Sequence, residues 1–348
     1  MKYLVFAFLL LSMTRLGFTQ DDISTVYKFL TIPSSAYEAS LGGSTIASAD
    51  SNINMITVNP ALLNPGLDNQ IGINYTNIHP GVSLGLVAWG YDLKSLGFIG
   101  VGMQYLNYGE MDKYDQYGNG LGTFTGGDYA FIVSWSTPLM KYLRLGANVK
   151  GIYSKIDIYN AYAAAFDAGL TYNNPDIKLT VSMVAKNIGN QIDSYVDGAD
   201  EPLPMDYQFG ISKGLAHAPF RFSLVAHHLH KADLLLTNEN TVVPNNTDLE
   251  PEEIETDYIR KDAEKIARHL IFGFEFRPSE KFSARIGYNY YQRSTMKMID
   301  KAGFTGISIG GTIQIKGFYI EYARAAYHLA GATNHLSIRT NLNRFFTN

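Results

Sequence analysis

The sequence predicts an all-β protein: a 14-stranded antiparallel transmembrane β-barrel with an amino-terminal plug in its lumen. Three observations support this prediction. From Gln70 onward, apolar and polar residues alternate with a period of two, which is typical of strands with one apolar face. The connections after odd-numbered strands include all the long ones. The composition, with 24 Tyr, 19 Phe and 32 Gly in 348 residues, favours strands and tight turns.

The alternation is clear in the stretch "DYAFIVSWS" at residues 128–136. Tyr129, Phe131, Val133 and Trp135 would share one face of this strand, and smaller residues would share the other. The fourteen predicted strands cover residues 70–79, 82–93, 96–109, 128–139, 142–157, 159–173, 177–188, 205–214, 219–231, 270–278, 281–293, 304–315, 318–327 and 333–343.

A soluble sandwich and a membrane barrel both produce such alternation, but two features favour the barrel. The polar faces hold charges of both signs, whereas the apolar faces are almost free of charge. The connections after even-numbered strands are tight, and those after odd-numbered strands include 110–127, 189–204, 232–269 and 294–303. Outer-membrane barrels have short periplasmic turns and long outer loops, so we expect both termini in the periplasm.

The first nineteen residues have the pattern of a secretory signal peptide. Lys2 precedes an apolar run at 3–11, and the small residues Gly17 and Thr19 follow it. The run is too short to cross about 30 Å of hydrocarbon. Because the chain has no cysteine, disulfides do not stabilise it.

We therefore divide the chain into a signal peptide (1–19), a plug (20–69) and a barrel (70–348) in the outer membrane of a Gram-negative cell. The barrel would contact outer-membrane lipid. The chain ends with Phe345 and Phe346, which resemble the carboxy-terminal signal of bacterial barrels. This ending implies recognition by the barrel-assembly machinery.

Short motifs of catalytic sites occur, but their contexts argue against an enzyme. "GISIG" at 306–310 matches a nucleophile elbow, yet it lies within an alternating strand and not in a strand-to-helix turn. "STMK" at 294–297 lacks the companion motifs of penicillin-binding enzymes. "DSNIN" at 50–54 begins like a calcium loop, but the required Gly and Glu positions hold Met55 and Ala61.

The stretch "AHHLH" at 226–230 raises the question of a metal site. It would place His228 and His230 on one strand face, near the outer interface. A third ligand is not evident, so solvated or hydrogen-bonded histidines are the favoured interpretation. We expect no metal and no cofactor, and the lack of a basic stripe with interleaved aromatics argues against nucleic acid.

The stretch "NMITVNPALLNPGL" at 54–67 does not fit the strand pattern. Pro60 and Pro65 prevent it from pairing as a strand. We predict that Asn59 caps or turns the chain and that 61–63 packs against the barrel wall as one apolar turn. Asn59, Pro60, Ala61 and Leu62 are therefore the predicted structural motif of the plug.

This motif also carries a family resemblance. "NPALL" after a Gly- and Ala-rich lead resembles the hatch of FadL-type outer-membrane transporters. The strings "FLTIPSSAYEASLGG", "NMITVNPALL" and "INYTNIHPGVSLG" resemble PorQ-type proteins of the type IX secretion system of Bacteroidetes, which belong to the FadL-like barrel group. The resemblance covers the plug and the first two strands. It implies a non-enzymatic component that holds a PorZ-like surface protein in a cargo attachment complex, which also contains PorU and PorV.

The loop at 232–269 offers a candidate contact surface for such a partner. Residues 249–269 read as a helix with acidic residues first and basic residues last, an order that suits the helix dipole. Ile254, Tyr258 and Ile266 would form one apolar stripe on it. A solvated helix at the rim remains the other interpretation. The alternative function is a FadL-type transporter of hydrophobic compounds, which needs an apolar pocket.

Overall fold

A closed antiparallel barrel of fourteen strands forms the protein, as the sequence predicts. The computed structural model describes residues 26–196, 198, 201–231, 234, 263–295, 304–328 and 331–346. Each strand pairs with its neighbours along the chain, and β1 closes the barrel by pairing with β14, with Gln70 opposite Asn341. The predicted signal peptide lies outside the described residues.

Most strand bounds lie within a few residues of the predicted ones, with the larger differences at the long-loop end described below. The strands are β1 Gln70–His79, β2 Val82–Asp92, β3 Phe98–Tyr114, β4 Gly120–Met140, β5 Leu143–Ile156, β6 Tyr159–Asn174, β7 Leu179–Asp193, β8 Asp206–Gly214, β9 Phe220–Ala226, β10 Leu270–Ser279, β11 Phe282–Asn289, β12 Ile307–Ile315, β13 Phe318–His328 and β14 Gly331–Asn341.

The two faces of each strand differ in the way a membrane barrel requires. On β4, Phe131 points outward and is 57% exposed, whereas the neighbouring Ile132 points inward and is fully buried. An outward row of Tyr129, Tyr153 and Tyr162 stacks across three adjacent strands, with ring centroids 6.1 and 5.2 Å apart. Exposed apolar side chains of this kind cover the outer wall, as expected for a surface in contact with lipid.

The two ends of the barrel differ in their connections. The end that we call the short-turn end has connections of two to five residues, at 93–97, 141–142, 175–178, 215–219, 280–281 and 316–317. The opposite end, called the long-loop end, has connections at 80–81, 115–119, 157–158, 194–205, 227–269, 290–306 and 329–330.

Residues 110–127, predicted as a long loop, are largely strand, and that prediction was wrong. β3 and β4 have 17 and 21 residues and continue as a hairpin, closed by a turn at 115–119. A tilted strand needs only about 9–11 residues to cross a bilayer, so the hairpin extends beyond the barrel rim. Turn-forming residues such as Asp115 and Gly118 suggested a loop, but they occupy only the tip.

Two other predicted strands end early at the same end of the barrel. β9, expected to reach residue 231, ends at Ala226, and β11, expected to reach 293, ends at Asn289. A helix at Tyr290–Thr295 follows β11 directly. In both places aromatic and histidine residues continue the alternation in the sequence, but the backbone turns away from the ladder.

Short helical turns make up the amino-terminal segment, which we define as residues 26–69. They are the helix Ala36–Ser40 and the 3-10 turns Val26–Thr31, Ile53–Thr57, Pro60–Leu62 and Pro65–Leu67. Another helix, Asn343–Phe346, follows β14. Among the described residues, no helix has the length and hydropathy needed to cross a membrane.

Candidate functional site

The inward face of the barrel contacts the amino-terminal segment on all sides. The backbone N–H of Ala36 donates to Ser337 Oγ of β14 at 2.9 Å. On another side, Asn148 Nδ2 of β5 donates to the Ile56 carbonyl at 2.8 Å. The segment therefore bonds to inward side chains on different sides of the barrel wall.

The predicted motif Asn59–Leu62 is bonded both within this segment and to the barrel wall. Asn59 is fully buried, and its Oδ1 accepts the N–H of Ala61 at 2.9 Å. Its Nδ2 donates to the Ile46 carbonyl at 2.8 Å and to Thr171 Oγ1 of β6 at 2.9 Å. The same side chain therefore caps the next turn and joins it to the wall.

Pro60, Ala61 and Leu62 form the turn that Asn59 caps. Pro60 begins the turn, where its missing N–H costs no hydrogen bond. The backbone of Pro60 and Ala61 lies so close to Gly146 of β5 that a Cβ at this glycine would collide with it. Leu62 is buried in an apolar cluster with Met55 and Val184.

A charge network lies in the part of the barrel interior nearest the short-turn end. Arg221 of β9 pairs with Asp50 of the segment at 2.5 Å and also with Glu275 of β10. Arg277 pairs with Asp50 at 2.7 Å, and the hydroxyl of Tyr37 donates to Asp50 at 2.6 Å. Burial alone would raise the pKa of Asp50, but the two guanidinium groups hold it well below its usual range.

A second charge network surrounds Lys150 of β5. Its Nζ lies 2.7 Å from Asp167 and donates to Asn187 Oδ1 at 2.8 Å. Glu38 of the segment is buried nearby, and burial raises its pKa to about 7 against the lowering effect of Lys186 and Lys150. Charged groups of both signs therefore meet in the middle of the lumen, within a wall of polar side chains.

An apolar chamber lies toward the long-loop end. We define the chamber by its buried lining residues, which are Leu84, Leu106, Ala130, Ile152, Ala163, Ala165 and Leu203. Its occupants belong to the amino-terminal segment itself, and they are Tyr27, Phe29 and Leu30. Gln104 Nε2 donates to the Phe29 carbonyl at 3.0 Å and attaches this turn to β3.

A histidine cluster lies at the rim of the long-loop end. Asp206, His227 and His228 each have one potential ligand atom in the cluster, and these atoms lie within 4.8 Å of one another. The sequence pattern indicates His228 and His230 as the two histidines on one strand face, but it gives no sign of Asp206 and His227. It predicts that β9 continues, whereas His228 has a left-handed backbone (φ 54°) that brings its ring beside that of His227.

The remaining predicted residues fall into different places. Ile254 and Tyr258 lie outside the described residues. Ile266 belongs to a helical stretch at 263–268 and is 64% exposed. Ser308 of "GISIG" lies within β12, where its Oγ accepts the N–H of Gly42 at 3.0 Å, so it serves as a contact for the segment.

The Asn59 geometry generates a test of how the segment and the barrel depend on each other. We expect Asn59→Ala to lower the free energy of unfolding by about 1–3 kcal/mol, because the Ala61 N–H and the Ile46 carbonyl lose a buried partner. The measurement is urea unfolding in detergent micelles, followed by the heat-dependent shift of the barrel on gels. Asn64→Ala is the control, since both bonds of Asn64 stay within the segment. Equal losses in the two variants would contradict the account.

Comparisons with solved structures identify related folds. No protein-family model and no curated protein matches the sequence. The toluene transporter TbuX of Ralstonia pickettii aligns with a TM-score of 0.50 and 13% identity, over 90% of this chain and 99% of that chain. The Pseudomonas putida toluene transporter TodX aligns with a TM-score of 0.52 and 10% identity, over 90% and 99%. At such identities the likeness concerns the fold alone: this chain has the fold of the FadL-like 14-stranded outer-membrane barrels.

Proposed function

We propose that this protein is an outer-membrane barrel that admits a small hydrophobic compound through its long-loop end. The observation that carries the proposal is the apolar chamber, because its lining near the long-loop end would suit a small hydrophobic compound once its own occupants leave. The likeness in fold to two toluene transporters supports the same proposal.

The chamber has the properties of a ligand site that is closed by its own chain. Tyr27, Phe29 and Leu30 are almost completely buried there, although they belong to a short 3-10 turn at the start of the described segment. Aromatic side chains bury about 150–250 Å² each, so their departure would open an apolar space suited to a small aromatic compound. Displacing this turn leaves the capped turns below it in place.

The rest of the amino-terminal segment acts in this proposal as a plug. The Asn59–Leu62 turn and the two charge networks fill the lumen beneath the chamber with bonded polar groups. In this proposal these bonded groups, all within the described part of the chain, close the barrel axis to ions and water-soluble solutes. Selectivity for hydrophobic compounds follows, since only these gain from the chamber and lose nothing by leaving water.

The chamber can be tested by filling it. We expect Ala163→Trp to reduce toluene uptake to the level of a deletion strain, because the larger ring occupies the space that the compound needs. Ala164→Trp is the matched control, since Ala164 lies next to it in β6 but on the outward, exposed face. The measurement is uptake of radiolabelled toluene by cells that carry equal amounts of folded barrel. Uptake that is unchanged by the deletion, or equal in the two variants, would overturn the transport proposal.

A second candidate function is a scaffold in the type IX secretion system. Its support is the set of PorQ-like strings between Phe29 and Gly85, together with the β3–β4 hairpin. The hairpin extends beyond the rim and exposes large side chains near its tip, namely Tyr114, Tyr117 and Leu121. Such residues are common in protein interfaces, and here they would hold a PorZ-like surface protein, with PorU and PorV in the same complex.

Co-purification in mild detergent tests the scaffold proposal. We expect a surface protein to accompany the wild-type barrel and to be lost from the double variant Tyr117→Ser, Leu121→Ser. The control is Ile158→Ser with Tyr159→Ser, which removes exposed apolar groups from another connection at the same end. If no surface protein accompanies the wild type, or if both double variants retain it equally, the hairpin scaffold is wrong. Neither result depends on the toluene experiment.

A further inference from the structure

The histidine cluster at the rim is the feature that neither proposed function explains. It lies where β8 begins and β9 ends. One member is in β8 and the other two directly follow β9. Asp206 is the first residue of β8, and His227 directly follows β9. The strand pairing therefore brings together residues that are 21 and 22 positions apart in the sequence.

Backbone bonds hold the cluster in position. The N–H of His228 donates to Asp206 Oδ1 at 2.5 Å, and the N–H of His227 donates to the His269 carbonyl at 2.9 Å. The next residue, Leu229, donates its N–H to the Tyr207 carbonyl at 3.0 Å. The left-handed conformation of His228 is costly for a residue with a Cβ, and such strain is concentrated at functional sites.

The potential ligand atoms of these side chains lie close enough together to share one positive charge. The Nδ1 atoms of His227 and His228 face each other within hydrogen-bond distance. Two imidazole lone pairs repel each other at this separation unless a proton or a metal ion lies between them. Asp206 Oδ2 lies 3.8 Å from His228 Nδ1 and contributes the negative charge.

A further layer of contacts orients these groups. Gln208 Nε2 donates to Asp206 Oδ2 at 2.6 Å and sets the direction of the carboxylate. His269 donates its Nδ1–H to the His227 carbonyl at 2.8 Å and packs beside the cluster. Supporting hydrogen bonds of this kind are a regular feature of metal sites, where they fix the ligands before the ion binds.

We propose that Asp206, His227 and His228 bind a divalent transition-metal ion of the Zn²⁺ class. Two imidazole nitrogens and one carboxylate are a frequent zinc ligand set, which leaves a fourth position for water. Ca²⁺ and Mg²⁺ are disfavoured, because they prefer sites made of oxygen ligands. On binding, the two imidazole nitrogens separate to about 3.3 Å, as ligands about 2.0–2.1 Å from a tetrahedral ion require.

The site is independent of the proposed functions and can be tested directly. The full chain is purified from outer membranes in mild detergent with an affinity tag that contains no histidine, and bound metal is removed with a chelator. Zn²⁺ is then titrated against a competing dye, and Co²⁺ is added separately to record its visible absorption. We expect one Zn²⁺ per wild-type chain and the intense absorption of Co²⁺ in a tetrahedral site.

The variants separate a metal site from a fortuitous contact. His228→Ala and Asp206→Asn should each weaken Zn²⁺ binding at least about tenfold. Asp206→Asn keeps an oxygen that accepts the His228 N–H, so the local backbone is preserved, and a heat-dependent gel shift verifies folding. His217→Ala is the control, because His217 is exposed at the short-turn end. Lack of stoichiometric Zn²⁺ binding, as expected if the two rings only share a proton, would overturn the proposal. Equal binding by wild type and His228→Ala would do the same.

Discussion

The structure depends on one constraint: each polar group that the barrel wall turns inward needs a hydrogen-bond partner. A strand places every second side chain in the lumen, and here that half of the wall is rich in amides, hydroxyls and charges. Burying such groups without partners costs several kcal/mol each in an apolar medium. The amino-terminal segment and the neighbouring strands provide these partners, as Asn148 illustrates by donating to the Ile56 carbonyl of the segment and to Asp167 of β6.

The same constraint explains why the segment is made of Asn, Pro and small residues. It has its own backbone groups to satisfy, and a strand would leave one edge unpaired. Short turns capped by Asn52, Asn59 and Asn64 bond these groups locally, in each case by accepting the N–H two residues ahead. Small residues let the backbone approach the wall, as at Gly146 and Gly287, where an added Cβ would collide with the backbone of the segment.

The period-two alternation predicts the fourteen strands and their polar inward face, because both follow from local pattern alone. The ends of the strands at the long-loop end are less predictable. The turn residues at the tip of the β3–β4 hairpin predict a loop. The strand residues on both sides of the tip instead extend the two strands as a hairpin. At His228 a left-handed backbone ends the ladder, although the sequence keeps alternating.

The partners within the candidate site could not be derived from the sequence. Pairing Lys150 with Asp167, or Asp206 with His228, requires the register between strands, and the register is set by packing that a single sequence does not reveal. The "AHHLH" stretch raised the question of a metal site, but the sequence favoured solvated or hydrogen-bonded histidines. Only the fold shows that Asp206 and His227 lie beside His228.

The central claim is that residues 26–69 occupy the lumen and satisfy its polar wall, and one engineered disulfide tests it. The ideal Cβ position of Gly210 lies 3.4 Å from the Cβ of Ala47, close to disulfide geometry, and the natural chain has no cysteine. The same position lies 2.6 Å from Ile46 Cγ1, so both cysteine pairs are made in an Ile46→Ala background, which removes this atom. Intact-mass and peptide analysis of barrels from outer membranes should show a bond in the Ala47→Cys, Gly210→Cys variant. The pair Ala47→Cys with Gly151→Cys, whose second cysteine faces outward, should stay reduced. Failure of the first pair to bond in a folded barrel, or equal bonding by both pairs, would contradict the account.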